Sequence, residues 1–123
     1  MAPASADDET GSALLRELNR VRAAAHLAPL RLDGRMSDGA TAYAQKMGRT
    51  RRIGHGAWSA RIARSASSPA RAGEVIGWLT VGAPEAEASW VVRTWLASPV
   101  HRRVVLDGSF RRIGIGRATS ALG

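Results

Sequence analysis

Three side chains of this 123-residue sequence have the chemistry of a small binding or catalytic site: His55, Glu74 and His101. His55 lies between two glycines in "RRIGHGAW", a setting that suits a ligand or catalytic residue and equally a tight turn. His101 follows the Ser-Pro break in "WLASPVHRR". The remaining histidine, His26, ends a predicted helix and is interpreted as structural. Because single histidines usually satisfy structural hydrogen bonds, none of them defines a site alone.

Glu74 differs from the other acidic residues because apolar residues follow it in "GEVIGWLTV". This context predicts a partly desolvated carboxylate, which needs a partner such as a histidine. The alternative is a pairing with any of the seventeen arginines. No nucleophile elbow, phosphate-binding loop, zinc-protease helix or dinucleotide fingerprint occurs in the sequence. Spacing alone therefore leaves these residues as candidates.

The elements that would position these residues follow from hydrophobic periodicity. Helices are predicted over 12–26, from Asp33 to Gly48, around 59–66 and from Pro84 to Pro99. Their apolar stripes are interpreted as core, and on the second helix the stripe is Met36, Ala40, Tyr43, Ala44 and Met47. The apolar run after Gly73 indicates a strand or an extended crossing segment. In "RRIGIGRA", Ile113 and Ile115 alternate with glycines that would let another element approach closely. This order predicts a small α+β domain with helices layered on a short sheet.

Composition predicts a flexible acidic tail over residues 1–11 and a single domain over 12–123. The absence of cysteine excludes disulfides and thiolate metal sites. No apolar run approaches the roughly 18–20 residues that span a bilayer, so no transmembrane segment is expected. An Ala-x-Ala triplet near the start has no apolar region before it, and one interpretation is a secreted protein whose leader is absent from this chain.

The net charge of +8 predicts contact with anionic surfaces such as phospholipid, cell-wall polymer or nucleic acid. The tail contains three of the acidic residues, so the rest of the chain has eighteen basic and only seven acidic residues. The alternative is a genome that favours arginine. Aromatic residues for base stacking are sparse, so no specific nucleic acid is expected.

Several of these stretches occur together, in order, in one known pattern. The segments "LNRVRAAAHLAPLRLDGRMSDGATAYAQKM", "GHG", "GEV" and "WLASPVHRRVVLDGSFRRIGIG" resemble the CAP/SCP superfamily, which includes cysteine-rich secretory proteins, antigen 5 and plant pathogenesis-related proteins. The match is to its bacterial, cysteine-free branch. The resemblance covers about residues 13–117.

The resemblance implies an α-β-α sandwich with a short antiparallel sheet between helical layers. It also implies a cleft lined by two histidines and two acids. By position the histidines are His55 and His101, and the first acid is Glu74. The second acid corresponds to Ser98, as is common in bacterial members, and Val75 replaces an asparagine of the family pattern. The aromatic final strand of the family is absent, so the sheet is expected either to be one strand short or to have its edge covered, for example in a homodimer.

Three function hypotheses follow. The first is a secreted or cell-surface, non-catalytic module whose cleft of His55, Glu74, Ser98 and His101 binds a small ligand, a lipid, a cell-envelope component or a divalent metal. Two histidines, with Glu74 as a further ligand, would suit zinc. The second is a protease-like hydrolase in which Glu74 is the candidate catalytic residue, as general base or beside a metal-bound water. The third is binding of an anionic polymer or nucleic acid through the arginine-rich surface.

Overall fold

The computed structural model describes residues 6–56, 73–77 and 82–119. Within these ranges the chain forms helices α1 Ala6–Ala24, α2 Gly34–Thr50, α3 Pro84–Ala97 and α4 Pro99–Val105, and strands β1 Arg31–Leu32 and β2 Arg112–Ile113. Helices α1, α3 and α4 pack together, with the most extensive contact between α1 and α3. The segment that contains β2 separates this layer from α2. The predicted α+β class is confirmed.

The core lies between α1, α3 and α4. Its buried residues are Leu18, Val91, Val92, Trp95 and Val105. All of them except Val105 of α4 fall on the apolar stripes that helical spacing predicts for α1 and α3. Each such side chain contributes roughly 1.5–3 kcal/mol when it is fully buried. Partly buried side chains, Ile113 of β2 among them, extend this core towards the sheet.

Arg22 of α1 is fully buried, with 0% of its surface exposed. Its guanidinium donates hydrogen bonds to four backbone carbonyls: Ala28 at 3.0 Å, Val105 at 2.9 Å, Asp107 at 3.0 Å and Phe110 at 3.1 Å. Burial, together with the nearby charge of Arg111, lowers the pKa of Arg22, although an arginine keeps its charge in proteins. One side chain thus joins the turn after α1 to the end of α4 and the approach to β2.

Asn19, one helical turn before Arg22, also forms hydrogen bonds with the segment that follows α1. Its side-chain amide donates to the Leu30 carbonyl at 3.1 Å, and its oxygen accepts from the Leu30 amide at 2.8 Å. At the end of α1, His26 adopts a left-handed conformation (φ 60°) and its amide donates to the Ala23 carbonyl at 3.0 Å. His26 is exposed and terminates the helix, which fits the structural role expected for it.

Helix α2 begins at an N-cap, where the Asp33 carboxylate accepts from the Met36 amide at 2.9 Å. None of the residues in α2 is fully buried, although its apolar stripe was predicted as core. Instead the helix backbone lies directly on the glycines after β2. A Cβ atom at Gly114 would lie 2.4 Å from the backbone of Met36, and one at Gly116 would lie 2.2 Å from that of Ala40. The alternating glycines therefore permit the predicted close approach.

The two described strands pair in parallel, with Arg31 opposite Arg112 and Leu32 opposite Ile113. The Arg31 amide donates to the Arg111 carbonyl and the Asp33 amide to the Ile113 carbonyl, each at 2.8 Å. The antiparallel arrangement expected from the resemblance is wrong for this pair. The strands are far apart in sequence and helices connect them, so no hairpin turn enforces an antiparallel direction.

The start of α1 and the whole of α4 also differ from the sequence prediction. Helix α1 begins at Ala6 rather than residue 12, so half of the predicted flexible tail is helical. Thr10 is buried and Gly11 lies against Ile115, and this tertiary packing is not visible in a polar sequence. Helix α4 was not predicted because Pro99 was interpreted only as the end of α3, whereas it also opens the next helix.

Other sequence predictions fall partly or wholly outside the described ranges. The short helix around 59–66 is among them. Of the segment after Gly73, residues 73–77 form neither helix nor strand, and residues 78–81 are outside the description. Among the described helices, none combines the length and the apolar character that crossing a bilayer requires.

Replacing Arg22 with lysine should destabilise the protein although the charge is kept. An ammonium group cannot satisfy four carbonyls spread around a planar fork, and each buried carbonyl left unpaired costs about 1–3 kcal/mol. We expect Arg22→Lys to lower the free energy of unfolding by roughly 3 kcal/mol in urea titrations. The control is Arg20→Lys on the same helix, where the arginine pairs with Glu17 at the surface. Equal stability of the two variants would contradict this role of Arg22.

Replacing Gly116 with alanine should separate α2 from the segment after β2. The added methyl group would overlap backbone atoms of Ala40 and Thr41, which cannot move aside as a side chain can. We expect a loss of at least about 1–3 kcal/mol, the usual cost of overpacking. Gly34→Ala is the matched control, because no atom lies within 4 Å of a Cβ at that position. A calorimetric melting temperature measured for both variants tests the prediction.

Candidate functional site

His55 and Glu74, nineteen residues apart in sequence, form a hydrogen-bonded pair. The His55 Nδ1 atom lies 2.8 Å from the Glu74 Oε1 atom. The imidazole is 44% exposed, whereas the carboxylate is only 17% exposed. The structure thus gives Glu74 the histidine partner expected for a shielded carboxylate. The pair presents an imidazole to solvent with a carboxylate behind it.

The loop that carries His55 is held by the end of α2. Arg51 adopts a left-handed conformation (φ 54°) and ends the helix. The Tyr43 hydroxyl donates to the Gly54 carbonyl. Gly56 also has a positive φ of 54°, and a Cβ atom there would lie 2.9 Å from the Tyr43 hydroxyl oxygen. The second glycine of "GHG" is therefore required by backbone geometry and by the approach of Tyr43.

The segment that carries Glu74 is fixed from the opposite layer. The Trp95 indole donates to the Ile76 carbonyl at 3.0 Å. Gly77 lies so close to α3 that a Cβ atom there would be 2.5 Å from a methyl group of Val91. At the other end, a Cβ atom at Gly73 would be 2.9 Å from Val104 of α4. The core thus places the Glu74 carboxylate without any regular strand in residues 73–77.

The other two predicted cleft residues lie on or beside α4. Ser98 separates α3 from α4: its amide donates to the Trp95 carbonyl at 3.2 Å and its carbonyl accepts from the Arg102 amide at 2.8 Å. Its side chain makes no capping hydrogen bond. His101 is half-buried on α4, and its Nδ1 atom is buried without a hydrogen-bond partner among the described residues. The structure therefore assigns Ser98 to a helix junction.

The predicted zinc site was His55 and His101, with Glu74 as a further ligand. Within residues 6–56, 73–77 and 82–119, no three histidine, aspartate or glutamate side chains lie close enough together to hold a metal ion. His55 and Glu74 are paired, but His101 does not complete a set of three ligands with them. The described residues do not fit a three-ligand zinc centre, and we derive no chemical step through a metal.

A cavity of about 470 Å³ lies between α2 and the layer of α1, α3 and α4. The α2 side of the cavity is the stripe expected to be core: Met36, Ala40, Tyr43, Ala44 and Met47. Leu14, Leu18, Val91 and Trp95 face it from the opposite layer. Glu74 lies on its wall, and Arg51 and Ile53 line it while exposed to solvent, so the cavity opens beside the His55 loop. Hydrophobic spacing could identify the stripe, but not the space it borders.

A buried ion pair forms part of the wall of this cavity. Glu87 of α3 is 5% exposed, and each of its carboxylate oxygens accepts from the Arg117 guanidinium at 3.0 Å. The Gly82 amide donates to the same carboxylate at 2.8 Å. Burial raises the pKa of Glu87, but the hydrogen bonds from Arg117 and Gly82 and the charge of Arg117 outweigh it, so the pKa is lowered overall. The pair attaches residues 114–119 to α3.

Acid should weaken this attachment with a definite sign. Because the folded-state pKa of Glu87 lies below its ordinary value of 4.5, the stabilisation is complete above pH 4.5 and is lost as the pH falls through the folded-state pKa. We expect Glu87→Gln to lower the free energy of unfolding at neutral pH by roughly 3 kcal/mol, because Arg117 loses its buried counter-charge. We also expect a flatter decline in stability on acidification below pH 4.5 than in the wild type.

Glu85→Gln is the matched control for this prediction. Glu85 lies on the same helix but is exposed, at 3.7 Å from Arg16, and such surface pairs contribute little. Urea unfolding at a series of pH values distinguishes the two variants. An acid-dependent decline in Glu87→Gln as steep as that of the wild type would contradict the assignment.

Comparison with known proteins gives one family and two structural relatives. The model of the cysteine-rich secretory protein family (CAP) matches residues 15–123. An extracellular protein containing an SCP domain from Bacillus anthracis superposes with a TM-score of 0.78 at 21% identity, over 98% of this chain and 42% of that one. The present chain thus spans less than half of the Bacillus protein. No curated protein matched the sequence.

The second structural relative is an outer surface protein from Borrelia burgdorferi. It superposes with a TM-score of 0.77 at 24% identity, over 93% of this chain and 84% of that one. At these identities the two superpositions establish a shared fold and no more.

Proposed function

Because this chain belongs to the cysteine-rich secretory protein (CAP) family, we propose that it is an extracytoplasmic, non-catalytic module that binds a small apolar molecule. The ligand occupies the cavity between α2 and the layer of α1, α3 and α4. The extracytoplasmic location is supported by the two structural relatives, which are described as an extracellular protein and an outer surface protein.

The cavity is the observation that carries this proposal. Its volume of about 470 Å³ lies within the range of about 300–1,000 Å³ that is usual for small-molecule sites. Aliphatic, aromatic and methionine side chains dominate its lining, and the polar groups on its wall include the Glu74 carboxylate and the ion pair of Glu87 and Arg117. A few polar groups on an apolar wall orient a ligand whose affinity comes mostly from apolar burial.

The pairing of His55 with Glu74 supports a binding role for the mouth of the cavity. Hydrogen bonding to His55 partly satisfies the Glu74 carboxylate that borders the apolar space, which reduces the cost of placing an apolar ligand beside it. Ser98 stands where the family pattern has its second acid, and it lies at a helix junction. Zinc binding by His55 and His101, and hydrolysis with Glu74 as general base, stay predictions and are not part of this proposal.

Filling the cavity should abolish ligand binding. Ala44 of α2 lines the cavity, so Ala44→Phe would place a ring in the ligand space. Ala42, two residues earlier, is exposed, and Ala42→Phe is the matched control. Using decanoic acid and decanol as probes in titration calorimetry, we expect Ala44→Phe to weaken binding roughly tenfold or more, the equivalent of about 1.4 kcal/mol. We expect Ala42→Phe to bind as the wild type does.

Two results would overturn the proposal. One is equal affinity of the Ala44→Phe and Ala42→Phe variants for both probes. The other is the absence of any heat of binding in the wild type. Thermal unfolding of each variant, followed by circular dichroism, verifies that the added ring leaves the fold intact.

A further inference from the structure

The C-terminal end of α2 carries a dense positive charge that has no ion-pair partner among the described residues. We name residues 46–53 the basic end of α2; its cations are Lys46, Arg49, Arg51 and Arg52, and all four are exposed. The sequence has no acidic residue between Gly39 and Gly56. None of the four cations forms an ion pair with another described residue, whereas Arg20, Arg112 and Arg117 each do. The charge is therefore directed outward.

An apolar side chain stands within this charged segment. Ile53 is 55% exposed, although an isoleucine usually lies in the interior. It follows Arg51 and Arg52 directly, and the left-handed conformation of Arg51 turns the chain out of the helix just before it. Cations grouped around an exposed aliphatic side chain match the two layers of an anionic membrane surface, phosphate groups above and acyl chains below.

We infer that the basic end of α2 is a docking surface for a bilayer that contains anionic phospholipid. Its cations contact lipid phosphates, with the arginines able to bind phosphate through two N–H groups each, and Ile53 enters the interfacial region. Each such cation near an anionic bilayer raises the affinity roughly fivefold. Ile53 favours a membrane over a soluble anionic polymer, because a polymer in water offers no apolar layer to receive it.

Membrane docking by the basic end of α2 does not depend on what the cavity binds. Docking uses residues on the outer surface and requires no ligand. Met47, Arg51 and Ile53 also line the cavity, so docking would place the cavity opening against the bilayer. The probe-binding experiment on Ala44→Phe and the vesicle experiment below therefore fail independently.

Vesicle co-sedimentation tests the docking surface. The full chain is mixed with phosphatidylcholine vesicles or with vesicles of phosphatidylcholine and phosphatidylglycerol. The test variant is Arg49→Gln/Arg51→Asn/Arg52→Gln, in which asparagine tolerates the left-handed conformation at position 51. The control variant is Arg31→Gln/Arg35→Gln/Arg103→Gln, which removes the same charge from exposed positions elsewhere. We expect the test variant to lose roughly 100-fold in affinity for the mixed vesicles, and the control variant only a few-fold.

Ile53→Ser and salt separate a membrane from other anionic partners. We expect Ile53→Ser to weaken binding to mixed vesicles while leaving retention on heparin unchanged. We also expect binding to weaken as salt rises to about 1 M, where the Debye length is about 3 Å. Equal losses in the test and control variants, equal binding to phosphatidylcholine alone, no binding at all, or an Ile53→Ser variant that binds vesicles as the wild type does would each overturn the inference. The last result, with binding blocked by heparin, would identify an anionic polymer instead.

Discussion

The burial of one guanidinium determines how the helices of this protein are joined. Arg22 donates four hydrogen bonds to backbone carbonyls after α1, at the end of α4 and before β2. A positive charge without solvent contact is costly unless such partners surround it. Three of these carbonyls lie in irregular segments and the fourth, that of Val105, lies in the last turn of α4, so no helix or strand hydrogen bond supplies their partners. If β2 lay elsewhere, the guanidinium of Arg22 and the backbone carbonyls would lose these hydrogen bonds.

The cavity depends on this arrangement through β2. Once β2 is placed, Gly114 and Gly116 set α2 at backbone contact distance, while Tyr43 and Met47 further along α2 line the cavity between it and the opposite layer. The Glu87–Arg117 pair holds the segment after β2 to the opposite layer. Helix α2 thus contacts the segment after β2 near its start, and the cavity separates its later residues from the layer of α1, α3 and α4. The same geometry brings the His55 loop and Glu74 together at its opening.

The sequence allowed the helical stripes, the start of α2 after Asp33 and the close glycine contacts to be predicted, because each depends on local spacing or on a missing Cβ. The pairing of His55 with Glu74 agrees with the resemblance. The parallel strand pairing and the cavity could not be predicted, since both depend on contacts between distant segments. The buried position of Arg22 was not predicted, because arginine is usually exposed. Helix α4 was not predicted because a proline can end one helix and also begin the next, and Pro99 does both.

Asn19 and Arg22 bind only main-chain atoms: the amide and carbonyl of Leu30, and the carbonyls of four other residues. Any amino acid except proline at position 30 provides the same backbone amide and carbonyl. At the other four positions every amino acid provides the carbonyl that Arg22 binds. Substitutions there therefore do not have to be compensated by changes in Asn19 or Arg22. A fold whose segments are joined by hydrogen bonds from side chains to the backbone can accumulate extensive sequence change and keep its structure. This is consistent with TM-scores of 0.78 and 0.77 at identities of only 21% and 24%.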